Sequence, residues 1–208
     1  MNRAIILGIL VLFVGIFIFS QNYSLSAQEK YFVDETFFEI IIYVDYNNTA
    51  GPWDGTIDYP YQRIQDGIDH ASSGDTVYVS CGTYHENIVI DKSIMLIGEE
   101  SSSTIIDGSY VEFVVNVIEN WVSIMNFTIK NSGGYIGNSG VKFNSNNNLI
   151  KNCIIYRTKT GIYLENSSFN EIDNCTFHTN GGGVLLKTSN NNVINGCSLS
   201  HNAVAIHF

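Results

Sequence analysis

The chain is short of charge. Only 14% of its 208 residues are Asp, Glu, Lys or Arg, against about a quarter in an ordinary soluble domain. Apolar residues still make up 45%. That excludes a disordered acidic tail, which needs many charges and few apolar groups. Bases are the scarcer sign, ten against twenty acids, for a net charge of −10. A nucleic-acid binder normally carries a basic footprint, so nucleic acid is not an expected partner. Cysteine occurs four times and nowhere at C-x-x-C spacing, so the usual zinc-site pattern is missing. Helical periodicity is nearly absent from the chain beyond its N-terminal leader. Only Tyr61–Ala71 places apolar residues, Ile64, Ile68 and Ala71, on one helical face. Proline occurs only twice.

Asparagine is what the chain has in excess, and most of it lies at or after Asn116. Asn is poor in helix interiors and good in turns. With many Gly, Val, Ile and Tyr beside it, the composition reads as a β-rich chain with frequent turns. The charge is also uneven. Residues 28–120 hold 17 acids and three bases, and residues 121–208 hold three acids and six bases. A solvated acidic face, cation binding and tolerance of high salt all fit this asymmetry, and the spacing does not choose among them.

The N-terminus reads as an export signal. Arg3 precedes sixteen uncharged residues, Ala4 to Phe19, and a polar stretch with Ser24-Leu25-Ser26 follows. The run falls just under the ~17 residues of a spanning helix, so a cleaved signal and an uncleaved anchor are both open. The expected division is 1–27 signal or anchor, 28–41 tether, 42–75 N-terminal cap and 76–208 repeats. The expected location is secreted or cell-surface, with membrane contact through the N-terminal segment if the leader is retained.

Self-comparison is the most informative operation. Asn148, Asn170 and Asn192 align at a period of 22, and so do Ile150/Ile172/Ile194, Cys153/Cys175/Cys197, Ile155/Phe177/Leu199, Gly161/Gly183/Ala205 and Leu164/Leu186/Phe208. An earlier unit fits with an insertion at Asn131–Ser139: Ile124, Phe127 and Ile129, then Gly140 to Phe143. The apolar runs are short, alternate by two and are bounded by Asn, Gly and Ser, which is a strand pattern. One unit cannot bury its own apolar residues, so units must stack. The expected fold is an all-β, right-handed parallel β-helix of roughly six coils with a short N-terminal capping helix. Like residues then lie above like: the Ile and Cys columns point inward, and Asn148/Asn170/Asn192 and Asn152/Asn174 form amide ladders. Stacked Cys side chains run parallel, a poor disulfide geometry, so buried reduced thiols are expected. Phe208 lies in a strand column with no polar cap after it, which reads as a truncated product or an end covered by another chain.

Upstream of the repeats the sequence resembles a known family. Tyr43-Val44-Asp45, Pro60-Tyr61-Gln62-Arg63-Ile64-Gln65-Asp66-Gly67-Ile68, Gly74-Asp75-Thr76-Val77-Tyr78-Val79 and Gly82-Thr83-Tyr84-His85-Glu86 look like the entry segment of pectin-lyase-like right-handed β-helix proteins. The later coils resemble the NosD-type, or carbohydrate-binding and sugar-hydrolase, branch, whose members are common on archaeal and bacterial surfaces. The resemblance covers residues 42–208. It implies the fold, and it allows lyases, hydrolases, adhesins and accessory proteins, since function is not set by fold.

The residue inventory restricts these chemistries. Lyases of the fold hold calcium with clustered acids, but the coils offer only Glu165, Glu171 and Asp173, and Lys151 and Asn195 occupy the Asp173 column. Glycosidases need two carboxylates across one groove, and Asp107 and Glu112 have no such partner. No catalytic residue is assigned. Copper, associated with the NosD type, would have to use His178 and His201, which lie one column apart in one turn region, without soft ligands at suitable spacing. No cofactor is expected, and calcium and copper remain the ions the resemblance suggests. Tyr163 and His207 share an outward column and are the candidate carbohydrate contacts. Asn166, in a turn at Asn166-Ser167-Ser168, is the best glycosylation acceptor. The expected role is an exported surface protein that binds polysaccharide or cell-surface components, or serves as a structural element. The alternatives are a polysaccharide lyase or hydrolase with its groove in coils beyond this sequence, or a copper-handling accessory protein.

Overall fold

The computed structural model describes residues 40–208. The leader and nearly all of the tether lie outside the described residues. The chain enters as strand β1 (Ile41–Val44), forms helix α1 (Ile64–His70), then winds through six turns of three strands each. The first turn is β2 (Thr76–Val79), β3 (Gly82–Tyr84) and β4 (Ile88–Ile90); the second is β5 (Met95–Gly98), β6 (Thr104–Asp107) and β7 (Val115–Val117). The third is β8 (Ser123–Met125), β9 (Thr128–Lys130) and β10 (Val141–Phe143); the fourth is β11 (Leu149–Lys151), β12 (Ile154–Tyr156) and β13 (Thr160–Glu165). The fifth is β14 (Glu171–Asp173), β15 (Thr176–His178) and β16 (Gly182–Lys187); the sixth is β17 (Val193–Asn195), β18 (Ser198–Ser200) and β19 (Val204–His207). Corresponding strands pair in parallel and build three sheets, β1-β2-β5-β8-β11-β14-β17, β3-β6-β9-β12-β15-β18 and β4-β7-β10-β13-β16-β19. This is a right-handed parallel β-helix.

The register follows the repeat columns. Ile150 pairs with Ile124 and Ile172, Ile155 with Ile129 and Phe177, and Ile162 with Val141 and Val184. All of these side chains are buried, and Ile194, Cys197, Leu199 and Ile206 of the sixth turn pack partly buried against them. The glycine column has a steric cause. A Cβ on Gly161 would stand 2.5 Å from the Gly183 carbonyl oxygen, and one on Gly183 2.4 Å from that of Ala205.

From the third turn on, each corner turns the chain by placing at least one residue in the left-handed region. Asn126, Asn152, Asn174 and Gly196 form one such column, with φ of 63°, 55°, 50° and 61°. Asn and Gly adopt this conformation at the lowest cost, which accounts for much of the Asn excess. Along that column the side-chain amides hydrogen-bond to one another: Asn174 Nδ2 donates to Asn152 Oδ1 at 2.8 Å and Asn152 Nδ2 to Asn126 Oδ1 at 3.3 Å. The Asn148/Asn170/Asn192 column carries one rung of the expected ladder, Asn170 Nδ2 donating to Asn192 Oδ1 at 3.1 Å, and adds bonds to the backbone. There the backbone N–H of Asn148 donates to Asn170 Oδ1 at 2.9 Å, and that of Asn170 to Asn192 Oδ1 at 2.8 Å. The side chains enter the interior and satisfy buried peptide groups of the neighbouring coil. A second inward column of the same kind, Thr158/Asn180/Asn202, is absent from the alignment above. Asn180 Oδ1 accepts from the Thr158 N–H at 3.0 Å, and Asn202 Oδ1 from the Asn180 N–H at 3.0 Å.

The four cysteines are free. Cys153 and Cys175 are buried, and their thiols donate to the carbonyls of Lys151 and Asp173 at 3.3 and 3.4 Å. Contact with Cys153, then burial, pushes the Cys175 thiol far up from its ordinary value. Burial pushes that of Cys197 up as well. Cys175 and Cys197 are therefore held as thiols, not thiolates.

The helix is shorter than the predicted Tyr61–Ala71. Tyr61 is held as a strand, bridged to Val44, and the helix begins only where a buried carboxylate receives it. Glu86 accepts from the N–H groups of Ile64 at 2.8 Å and Gln65 at 3.1 Å, supplying partners for otherwise orphaned donors of the first turn. At the other end the Lys92 ammonium donates to the carbonyls of Ile68 and Asp69. The Gln65 amide serves the edge of the third sheet: it accepts from the Val89 N–H at 2.9 Å and donates to the Val89 carbonyl at 3.2 Å. One side chain thus takes the place of a missing neighbouring strand on β4, a way of blunting an exposed edge. Gly67 lets the helix approach, since a Cβ there would lie 2.7 Å from Val44 Cγ2.

Candidate functional site

Three segments tied to β1 build a cleft of about 300 Å³ lined by Pro52, Trp53, Tyr61, Gln62, Asp66 and His70. The turn carrying Trp53 is fastened by the Tyr43 N–H donating to the Gly55 carbonyl at 2.8 Å, and by Gly55 N–H donating to the Tyr59 carbonyl at 3.1 Å. Gly55 has φ +80°, and a Cβ there would lie 2.7 Å from the Tyr61 ring. Tyr61 is fixed by hydrogen bonds in both directions with β1 and its end: its N–H donates to Tyr43 and its carbonyl accepts from Asp45. The His70 ring stacks on Tyr61, centroids 4.7 Å apart at 21°. The same His70 donates from Nδ1 to the Asp66 carbonyl at 2.8 Å, which leaves Nε2 without a hydrogen-bond partner among the described residues. Asp66 pairs with Arg63 at 3.5 Å, and Gln62 Nε2 donates to the Asn48 carbonyl at 2.7 Å, leaving its oxygen available. Burial, then the charges of Asp54 and Asp66, raises the Tyr61 hydroxyl above its ordinary range, so it stays a neutral donor. Trp53 is held at φ 55° and exposed. The cleft thus offers aromatic faces with an amide oxygen, a carboxylate and an imidazole at their edges.

None of these residues repeats, so column alignment is blind to them. The available signal was a Trp between Pro52 and Gly55 in a polar turn, followed by Tyr and His at either end of the one helical pattern.

The predicted contacts fall elsewhere. Tyr163 and His207 do share an outward column, both paired to Leu185. His207 is exposed and lines a groove of about 310 Å³, with Lys159, Leu185 and Val204 beneath Ile136 and Gly137 of the inserted loop. Tyr163 is only 6% exposed. The Lys142 ammonium lies 5.6 Å from its ring centroid, and Glu165 follows on the same strand, so the ring has no open face for stacking. His178 pairs with Ser200, which places His201 beside the next column as expected. The His178 ring is stacked on Tyr156 at 4.9 Å. Among the described residues, no group of three or more His, Cys, Asp or Glu could hold a metal ion. Asn166 is exposed in its turn at φ 52°.

Asp107, Glu165 and Asp173 are spent on structure. The Asp107 carboxylate accepts from the Ser109 N–H at 2.9 Å and the Asn131 amide at 2.9 Å, with Lys130 at 3.4 Å. Burial alone would raise its pKa, but these partners together hold it below the ordinary value. Asp173 is held low by Lys151 at 2.7 Å. Glu165 bridges Lys187 at 2.8 Å and Lys142 at 3.3 Å, and these two bring its pKa down to about 2. A depressed carboxylate stabilises the fold above its unfolded pKa and loses that contribution as pH falls through its folded value. Thermal melts should therefore show Glu165→Gln melting a few degrees lower at pH 7. Between pH 5 and 2 it should lose less further stability than the wild type. Parallel curves for the two proteins would disprove the coupling.

The fold defines a right-handed parallel β-helix protein, and comparison with known proteins agrees. Residues 113–208 match the family described as a right-handed β-helix region. No curated protein matches the chain. Among solved structures, pectin methylesterase from carrot aligns with a TM-score of 0.49 at 14% identity, over 73% of this chain and 63% of that one. Pectin methylesterase from Aspergillus niger aligns with a TM-score of 0.49 at 19% identity, over 79% and 67%. Pectin methylesterase PemA from Erwinia chrysanthemi aligns with 0.43 at 11% identity, over 70% and 54%. These are likenesses of fold alone, and the chain spans 63% of the carrot enzyme and 54% of a pectin methylesterase solved in complex with a hexasaccharide.

Proposed function

We propose that this is an exported, surface-associated β-helix protein that binds carbohydrate. The observation that carries the reading is the aromatic cleft of Trp53, Tyr61 and His70 with Gln62 and Asp66 at its rim. A sugar ring has an apolar C–H face and a hydroxyl edge. Ring faces take the first, and an amide oxygen, a carboxylate and an imidazole nitrogen take the second. The charged leader start and uncharged run Ala4–Phe19 support export. The acid inventory supports binding over hydrolysis, because Asp107, Glu165 and Asp173 are each neutralised by a lysine.

Titration calorimetry with neutral and acidic oligosaccharides (cello-, chito- and galacturonate series) tests the reading. At least one series should bind, and Trp53→Ala should weaken it about tenfold, the effect of losing one buried aromatic anchor of about 1.4 kcal/mol. Asp66→Asn should weaken it less. Unchanged affinity in Trp53→Ala would remove the cleft from the proposal. New reducing or unsaturated ends released from any of these substrates would replace binding with catalysis.

A further inference from the structure

A second set of aromatics stands in an unusual place. The corner leading into the first sheet sets Trp121, Asn147, Phe169 and Asn191 in the left-handed region, with φ of 62°, 59°, 60° and 55°. They form one column. The Trp121 N–H donates to the Asn146 carbonyl, the Asn147 N–H to that of Ser168, and the Phe169 N–H to that of Asn190, each reaching into the next coil. Asn suits such a position because its side chain is short and polar. A bulky aromatic there is strained, and strain of this kind points to a use outside folding. Burial does not offset it, for Trp121 is 69% and Phe169 59% exposed.

The spacing is as informative as the strain. Adjacent coils lie about 4.8 Å apart, so Trp121 and Phe169, two coils apart, stand about 9.6 Å from each other along the solenoid axis. In an extended β-1,4-linked glycan successive sugars turn over, so the same ring face recurs once per disaccharide, a repeat of that same order. We propose that this column is a stacking rail for an extended β-1,4-linked polysaccharide lying along the axis. Trp121 and Phe169 take every second sugar face. Asn147, whose side-chain amide bonds to no other described residue, meets the hydroxyls of the sugar between. The inference rests on the carbohydrate reading but uses residues separate from the cleft.

The experiment is retention of the protein on microcrystalline cellulose and on chitin powder, run beside calorimetry with the soluble oligosaccharides. Wild type should be retained on at least one polymer. The Trp121→Asn/Phe169→Asn pair should be retained at least tenfold less, with a melting temperature no lower, since Asn fits the backbone, and with soluble-oligosaccharide binding unchanged. The Trp121→Tyr/Phe169→Tyr pair keeps both rings and should keep retention. Equal retention of the Asn pair and wild type overturns the rail, as does loss of retention in the Tyr pair. Soluble binding without retention on either polymer also overturns the rail while the cleft reading stands. Absence of both soluble binding and retention defeats the carbohydrate reading itself, and the rail with it.

Discussion

Phe177→Ala should lower the unfolding free energy by about 3–5 kcal/mol, the cost of removing a fully buried aromatic. Phe177 has no exposed surface. It sits between Ile155 and Leu199 in its column, and its ring lies against Gly161, where an added Cβ would approach to 2.7 Å. A solenoid gives such a cavity little chance to close. Every strand of the fifth turn is pinned to the coils above and below by backbone hydrogen bonds, and each coil touches only its neighbours. The Gly161 position could not be filled to compensate, because the Gly183 carbonyl also blocks it at 2.5 Å. Denaturant unfolding followed by circular dichroism measures the loss. Leu199→Ala, in the partly exposed sixth turn, should cost clearly less. A loss below about 1.5 kcal/mol for Phe177→Ala would mean that this column is not close-packed.

The sequence was legible where the coil length is constant. From β11 onward successive strands of the first sheet start at Leu149, Glu171 and Val193, one full period apart each time, and the columns Ile150/Ile172/Ile194, Ile155/Phe177/Leu199 and Ile162/Val184/Ile206 pair as expected, while Phe208 falls just past β19. Earlier strands of that sheet start at Thr76, Met95 and Ser123, and their spacing is uneven. Turns absorb those differences without changing the core, so self-comparison loses the register although the physics is the same. The helix was legible as apolar Ile64 and Ile68, but its start depends on Glu86, a whole coil further along the chain and unpredictable from local pattern. The cleft was missed because its residues occur once. The aromatic corner was within reach: Phe169 lies one period after Asn147 and one period before Asn191, and asking what replaces Asn in a turn column would have singled it out. Exposure was the weakest inference. An outward column says only which side of the sheet a residue is on, and Tyr163 is outward yet covered.

Asn170→Leu should cost about 3 kcal/mol, although Leu is the more apolar residue and Asn170 is almost fully buried. The amide works at three contacts. Its oxygen accepts from the Asn148 N–H at 2.9 Å, and its nitrogen donates to the Ser145 carbonyl at 3.3 Å and Asn192 Oδ1 at 3.1 Å. Asn148 is itself buried, so its N–H would be left without a partner or water, at about 1–3 kcal/mol for each such group. The gain from burying Leu is limited by a site shaped for a planar amide. The outer ladder supplies the contrast. Asn174 donates to Asn152 at the surface and occupies a left-handed corner where Gly196 stands in the next coil, so Asn174→Gly should be close to neutral. Hydrogen exchange separates the two roles: the Asn148 amide proton should lose protection in Asn170→Leu and keep it in Asn174→Gly. If Asn170→Leu proved as stable as the wild type, the inward Asn column would be a filler of space and not a partner for the backbone.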